Sequence, residues 1–332
     1  MIERTAKRKT VVVTGSVAYD YLMSFPGKFA DVIVPDRLHR LSVSFLVDEM
    51  RKVRGGVAPN IAYNLALLGA SPAVLASAGA DAVEYRDWLR SEGVDVSGMV
   101  IHKDVFTASF FVSTDQDQNQ IASFYTGAMA KAGELSLSRF DAARVAWVIV
   151  SPNDPLAMGR YARECRELSI PFVFDPSQQV ARLSGAELRE GVDGAAMLIC
   201  NDYELGVLSQ KAEISEADLR GCAPVVIVTH GADGSTIHVG GKRHAVPPAR
   251  LHGPALDPTG VGDSYRGGLL RGMTLGLPWA VCGRIASVAA VFCLEAEGPQ
   301  PPPYAAEAFL DRYRESYGEE PSIALLFDSA LP

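Results

Sequence analysis

Short runs of apolar, often β-branched residues alternate with polar segments along this chain, and that alternation is its main structural signal. Apolar runs that end at turn residues predict buried β-strands. The predicted strands are residues 11–14, 72–79, 145–150, 172–174, 197–200 and 225–228.

Apolar residues at helical spacing follow several of these runs, and the predicted helices include one near 60–68 and others at 81–93 and 156–168. Repeated units of strand, polar loop and helix predict a mostly parallel sheet with right-handed crossovers. A ligand cleft in such a sheet lies at the carboxyl ends of the strands. Asp20 comes just past the end of strand 11–14, where a loop carboxylate is either part of the cleft or simply solvated.

Two regions interrupt the alternation. Residues 42–47 have strand character without good helix signals around them, and the β-type runs 107–113 and 120–125 are joined by a polar segment, which predicts a hairpin. We expect these pieces to form a small sheet outside the main domain, covered by closing as a lid or by a second copy of the chain. The predicted large α/β domain comprises 1–16, 53–104 and 128–332, and the predicted small β lid domain comprises 17–52 and 105–127.

Composition narrows the class of protein. The 332 residues suit one large α/β domain with an appendage, and the net charge of −8 without a long basic run argues against nucleic-acid binding. Five cysteines without C-x-x-C spacing indicate a reduced, cytoplasmic protein. The first ten residues lack a signal-peptide pattern and no apolar run is long enough to span a membrane, so we expect no membrane partner.

The segment 257–264 reads Asp-Pro-Thr-Gly-Val-Gly-Asp-Ser and leads into a helical pattern. The unpaired N–H groups and partial positive charge of a helix N-terminus suit an anion, and Gly260 and Gly262 allow a close backbone approach. Asp263 beside such a site suits proton removal from an attacking hydroxyl, although Asp263 and Ser264 could equally be a helix N-cap. The segment is neither a Walker-type loop nor a full dinucleotide fingerprint.

Several motifs occur in an order that resembles the ribokinase-like (PfkB-type) carbohydrate kinases, over essentially the whole chain. They are Asp20, Gly55-Gly56, Asn60, Asn201-x-x-Glu204, Thr229-x-Gly231-x-x-Gly234 and the segment 257–263. Within that family the chain looks most like the bacterial adenosine kinases, in the stretches 15–20, 41–48, 54–60, 121–125 and 175–184. The resemblance implies a three-layer α/β/α domain with a mostly parallel central sheet and a small β-sheet lid.

The same resemblance implies a role for each matching residue. Asp263 would be the catalytic base, beside an anion hole at Gly260, Val261 and Gly262. Phe110 and Phe124 would sandwich a purine, or else be core residues of the small sheet. The full set implied for substrate binding is Ser16, Asp20, Ser44, Gly56, Asn60, Phe110, Phe124, Gln178, Gln179 and Arg182.

On the nucleotide side the resemblance implies ATP contacts from Asn201, Thr229, Gly231 and Gly234. Glu204 would position Mg²⁺ through water, although Asn-x-x-Glu is also a helix capping box. A monovalent cation such as K⁺ near Asp257 and Thr259 is a further expectation. Pro258 departs from many sugar kinases of this family, and we expect it to stiffen the loop while removing one N–H donor.

The resulting prediction is an ATP-dependent kinase that phosphorylates the 5′-hydroxyl of adenosine to give AMP, a purine-salvage reaction. A sugar kinase of the same family acting on ribose or fructose is the first alternative. A nucleoside-binding sensor without catalysis is the second. The small sheets are expected to meet in a homodimer.

Overall fold

The computed structural model describes residues 9–33, 35–40 and 42–328. Predictions about the first eight residues, and about Leu41 in one of the matched stretches, lie outside the described residues.

Strands and helices alternate along most of the described part of the chain. The strands are β1 (Thr10–Thr14), β2 (Ala18–Ser24), β3 (Glu49–Gly55), β4 (Pro72–Gly79), β5 (Asp95–His102), β6 (Ala108–Thr114), β7 (Gln120–Tyr125), β8 (Val145–Val150), β9 (Phe172–Phe174), β10 (Met197–Asn201), β11 (Val225–Thr229), β12 (Ser235–Val239) and β13 (Lys242–Val246). The α-helices are α1 (Phe29–Val32), α2 (Val57–Leu67), α3 (Val83–Ser91), α4 (Pro155–Glu167), α5 (Gly185–Val192), α6 (Asp202–Ala212), α7 (Glu216–Leu219), α8 (Val261–Thr274), α9 (Trp279–Leu294) and α10 (Ala306–Tyr317). Short 3₁₀ turns lie at Pro35–Arg40, Ala80–Ala82, Gly127–Glu134, Leu137–Arg139, Ala142–Arg144, Ser177–Ala181, Gly231–Asp233 and Pro321–Phe327.

The large sheet contains nine strands in the order β13-β12-β11-β10-β9-β8-β1-β4-β5. The pairs from β11 to β5 are parallel, and only the hairpin of β12 and β13 adds antiparallel pairs at one edge. Alternate residues of β1 face opposite layers, since Val11 and Val13 pack in one buried cluster and Val12 in the other. Every strand predicted for this sheet is present, which confirms the predicted three-layer α/β fold.

Strand β5 was absent from the prediction. Its sequence, Asp-Val-Ser-Gly-Met-Val-Ile-His, is broken by polar residues and by Gly98, which weakens a strand pattern. It nevertheless pairs with β4, with an irregularity in the register near Ala73 and Leu75. Hydrogen bonding to β4 therefore determines this strand, because its local sequence does not favour one.

The small sheet has the order β3-β2-β6-β7, and its β6–β7 hairpin confirms the hairpin prediction. The strand predicted at 42–47 is wrong, because those residues pair with no other strand in the described part of the chain. The strand that pairs with β2 at this edge is β3, and its charged, mostly exposed sequence has no apolar pattern that would predict a strand. One apolar residue of that run, Phe45, instead packs on Phe25 and Phe29.

Asp20 also differs from its predicted position. It lies within β2 of the small sheet, paired with Val53 on one side and Phe110 on the other, and not in a loop after β1. Strand β3 continues to Gly55, past the predicted boundary at residue 52, and joins α2 directly. In the described ranges, the helices all fall short of the length and apolar character needed to cross a bilayer.

Candidate active site

The N-terminal turn of α8 forms the floor of a cavity of about 600 Å³. The helix begins at Val261, and its first intrahelical bond runs from the N–H of Ser264 to the carbonyl of Gly260. The N–H groups of the first turn therefore lack helical acceptors and carry the positive end of the helix dipole. Asp263 sits in this turn and borders the cavity.

Asp263 is held by a side chain from a distant part of the sequence. Asn60 donates a hydrogen bond from Nδ2 to Oδ2 of Asp263 over 2.9 Å. Burial raises the pKa of Asp263 to about 7, while Arg266 and the Asn60 hydrogen bond act to lower it. A carboxylate whose pKa lies near neutrality can take up a proton during a reaction and release it afterwards.

Arg266 lies one helical turn after Asp263 and forms a buried ion pair with Asp175, the residue that follows β9. The pair is bidentate, with Nε and Nη2 of Arg266 donating to the two carboxylate oxygens of Asp175. Nη1 of Arg266 lies near Gly262 at the cavity. Planar, two-point pairing of this kind fixes a guanidinium in place and leaves its outer edge available to an anion.

Two glycines are required by the backbone around the site. Gly260 has a φ of +77°, and a Cβ atom there would lie 2.4 Å from Cβ of Pro299. Gly56 has a φ of +91°, and a Cβ atom there would lie 2.6 Å from the backbone carbonyl oxygen of Ser16. Both positions combine a left-handed φ with close contact, so a side chain at either would displace the loops that line the cavity.

The small sheet forms the opposite wall. Asp20, Phe110 and Phe124 lie on adjacent strands in one register row, and therefore on one face of the sheet. All three line the cavity, and 51% of Phe124 is exposed. Burial and the nearby carboxylate of Asp257 raise the pKa of Asp20 to about 6. The row places an acceptor for hydroxyl groups beside two aromatic faces.

Most residues predicted for substrate binding, the anion hole and catalysis line this cavity. Those among its lining are Ser16, Asp20, Gly56, Asn60, Phe110, Phe124, Gln178, Gln179, Arg182, Gly260, Gly262 and Asp263. Ser44 lies in the irregular segment before β3, and neither it nor Val261 is in the lining. Gln179 is buried, and its Oε1 has no hydrogen-bond partner among the described atoms.

The residues predicted to bind nucleotide lie along the same edge of the large sheet. Asn201 ends β10 and Thr229 ends β11, and the two are paired in the ladder. Gly231 and Gly234 follow in the next turn, both with positive φ. These residues are outside the lining of the cavity, further along the carboxyl edge, which is where a second ligand would lie beside the first.

Glu204 has a structural role at the start of α6. It forms a capping box, in which its Oε2 accepts the N–H of Asn201 over 2.8 Å and Asn201 Oδ1 accepts the N–H of Glu204 over 2.7 Å. Among residues 9–33, 35–40 and 42–328, no group of three or more His, Cys, Asp or Glu side chains is arranged to hold a metal ion. The buried carboxylate of Glu204, near the Asp175–Arg266 pair, fits a hydrated Mg²⁺ whose other ligands are mainly phosphate oxygens.

Sequence reasoning gave no role to Arg266 or Gln300, and it linked Thr259 only to a monovalent cation. Arg266 and Thr259 line the cavity, and Gln300 donates to Oδ1 of Asn60 over 3.1 Å. The position of Arg266, one turn after Asp263 on a helix that starts at an anion site, was a usable signal for a phosphate contact. Nothing in the local sequence marks Gln300, because its partner Asn60 is 240 residues away.

The sequence profile of the pfkB family of carbohydrate kinases matches residues 13–305. This match spans most of the 332 residues, so the chain belongs to the pfkB family of carbohydrate kinases. It is accordingly a phosphotransferase with an alcohol acceptor, as the glycine-rich segment and Asp263 indicated.

Individual relatives resemble the chain over nearly its whole length. A nucleoside kinase of Methanothermobacter thermautotrophicus is 32% identical over 323 residues, which cover 95% of this chain and 99% of the relative. The structure of Burkholderia thailandensis nucleoside kinase in complex with inosine has a TM-score of 0.82 and 32% identity, covering 93% of this chain and 99% of that one. Its structure in complex with ADP-inosine has a TM-score of 0.79 and 33% identity, covering 93% and 97% respectively.

Proposed function

We propose that the protein transfers the γ-phosphate of ATP to the 5′-hydroxyl of a purine nucleoside, with adenosine converted to AMP. The observation that carries the proposal is the cavity itself, which joins the Asp263 carboxylate to the row of Asp20, Phe110 and Phe124. A free sugar needs no aromatic wall, whereas a purine gains from stacking. The inosine bound by the Burkholderia relative supports a nucleoside acceptor and widens it beyond adenosine.

In this reaction Asp263 accepts the proton of the 5′-hydroxyl while the oxygen bonds to the γ-phosphorus of ATP. The bond from that phosphorus to the β,γ-bridging oxygen breaks, and ADP leaves. The N–H groups at the start of α8 and the outer edge of Arg266 stabilise the negative charge on the transferred group. Asp20 and Asn60 hold the ribose hydroxyls so that the 5′-hydroxyl faces Asp263.

The nucleotide would lie along the edge formed by Asn201, Thr229, Gly231 and Gly234. Glu204 would hold a hydrated Mg²⁺, which when bound neutralises charge on the ATP phosphates. Asp257 is a candidate neighbour of K⁺, since its carboxylate accepts N–H bonds from Thr259 and Gly298 and its pKa is held below the usual range against the effect of burial. A dependence of kcat on added Mg²⁺ and K⁺, each measured separately, tests these two parts.

The small sheet is proposed to act as a lid and to pair with the small sheet of a second copy. The face opposite Asp20 carries the exposed apolar residues Met50, Phe111, Ile121 and Tyr125. A patch of this kind needs cover. Sedimentation at micromolar concentration should give a dimer, and Ile121→Asp should shift it towards monomer. A wild-type monomer would contradict this part of the proposal.

The acceptor is tested by incubating the protein and ATP with adenosine, inosine, guanosine, cytidine, ribose and fructose. Products are identified by mass spectrometry as nucleoside 5′-monophosphates or sugar phosphates. We expect purine nucleosides to exceed ribose in kcat/KM by about thirtyfold to ten-thousandfold, from two stacking faces of about 1–3 kcal/mol each. Comparable use of ribose or fructose would indicate a sugar kinase, and nucleoside binding without turnover would indicate a sensor.

A further inference from the structure

A chain of hydrogen bonds runs behind the base, away from the cavity. Gln300 Nε2 donates to Oδ1 of Asn60 over 3.1 Å and lies 2.6 Å from the hydroxyl of Tyr85. The Tyr85 hydroxyl donates to the carbonyl oxygen of Gly55 over 3.0 Å. With the bond from Asn60 to Asp263, the chain connects the base to the backbone where β3 meets α2.

The carbonyl oxygen of Gly55, at the end of this series of hydrogen bonds, determines which group donates in each bond. A backbone carbonyl can only accept, so the Tyr85 hydroxyl donates its single proton to Gly55, and its oxygen can accept from another donor. Burial raises the pKa of Tyr85, so the hydroxyl keeps that proton at neutral pH. The group of Gln300 that faces Tyr85 is therefore its NH₂, and the second proton of that NH₂ is directed to Asn60.

The consequence reaches the base. With Oδ1 occupied by Gln300, the Asn60 amide has its NH₂ directed at Asp263 and cannot turn over without losing both bonds. Asp263 thus always meets a donor, and the substrate meets only the remaining N–H of Asn60. The charged or titratable groups around Asp263 are Arg266 on the same helix, Asp175 after β9 and the thiol of Cys293 on α9.

We propose that Gln300 is a positioning residue that fixes the orientation of the Asn60 amide, with Tyr85 as its anchor, and so keeps Asp263 in its ionisable working state. The proposal rests on the proposed function, because it gives Asp263 the role of base. It assigns to Gln300 no contact with substrate or nucleotide.

The test uses Gln300→Met, which removes the donor without adding charge, and Gln300→Glu, which puts an acid in its place. With the donor lost, Asn60 no longer has one enforced orientation and the ionised form of Asp263 is less well supported. The acid limb of the pH profile of kcat/KM should move up by as much as about one unit in Gln300→Met and about one to two units in Gln300→Glu. At high pH both variants should return towards wild-type kcat/KM.

A second readout is independent of turnover. Carbon-13 NMR of labelled aspartate gives the titration of Asp263, assigned by its loss in Asp263→Asn, and the same upward order of pKa is expected. Gln210 lies exposed near the end of α6, so Gln210→Met and Gln210→Glu are matched controls that should leave both readouts unchanged.

A folded Gln300→Met protein whose acid limb and Asp263 titration both match wild type overturns the proposal. So does a loss of kcat/KM that is equal at every pH, since that indicates only a structural role. If neither Gln300 variant folds, Tyr85→Phe replaces them, with a smaller shift in the same direction expected and an unshifted profile counting against the proposal. Absence of turnover in wild type would refute the proposed kinase reaction, and the NMR titration would still decide the role of Gln300.

Discussion

The two walls of the cavity are built in opposite ways. One wall, the floor at the start of α8, is polar, and its charged side chains are held in the pairs Asn60–Asp263 and Asp175–Arg266. The wall on the small sheet presents the rings of Phe110 and Phe124, the second of them half exposed on an edge strand. In the proposed reaction, proton and phosphate transfer would need the fixed groups of the floor, whereas a purine ring would need only the aromatic surface.

The largest effect should come from the floor. Asp263→Asn keeps the shape of the side chain but cannot accept a proton, so kcat should fall by about 10²- to 10⁴-fold while acceptor binding is retained. Steady-state kinetics together with calorimetric binding of adenosine measure the two effects. Asp311→Asn, on the exposed side of α10, is the matched control. Near-normal kcat in Asp263→Asn would show that Asp263 is not the base.

Asp20 is the charged residue of the small-sheet wall, and its substitution tests how that wall binds the acceptor. Asp20→Ala removes a carboxylate that would accept a hydrogen bond from the ribose, worth about 1.5–3 kcal/mol, so acceptor affinity should fall about ten- to 150-fold. The KM for ATP should stay close to wild type. Isothermal titration with each ligand separates these outcomes. Equal weakening of nucleoside and ATP would place Asp20 outside the ribose site.

The aromatic wall should affect selectivity more than rate. Phe124→Ala removes one stacking face worth about 1–3 kcal/mol, which lowers the kcat/KM ratio of adenosine to ribose about five- to 150-fold. Phe111→Ala, on the opposite face of the same strand pair, is the control and should leave the ratio unchanged. A ratio that does not move in Phe124→Ala would make that ring a covering residue only.

The smallest expected effect is on thermal stability. In the floor, burial disfavours the ionised carboxylate of Asp263. The pKa of Asp263 in the folded protein is about 7, above the ordinary value of 3.8, so the folded state favours the protonated acid. The cost of the buried charge is therefore fully present above pH 7 and disappears as the pH falls towards 4. Asp263→Asn should melt at a higher temperature than wild type at pH 8, with a difference that shrinks at pH 5. A lower melting temperature at pH 8 would contradict the direction of this shift.

Several elements were predictable because their signals lie within a few consecutive residues. The strands of the large sheet are apolar runs such as Val145–Val150, and the β6–β7 hairpin is two such runs around a polar turn. The register of that hairpin places Phe110 and Phe124 side by side on one face of the small sheet. The segment 257–264 likewise predicted a glycine-rich turn that opens into a helix, and α8 begins within it at Val261. The alternative that Asp263 and Ser264 form the N-cap is wrong, because the N-cap is Gly260 and no side chain caps this helix.

Tertiary structure alone decided which polar residues meet. Asn60 and Asp263 are 203 residues apart, and Arg266 and Asp175 are 91 residues apart, yet both pairs are in hydrogen-bond contact. The chain contains many other Asn, Asp and Arg residues with the same chemistry, and a hydrogen bond is too short-ranged to be read from spacing. The parallel sheet brings the ends of distant strands to one edge, and the register of β3 on β2 places Asp20 in the wall, which is why position in the fold decides the site.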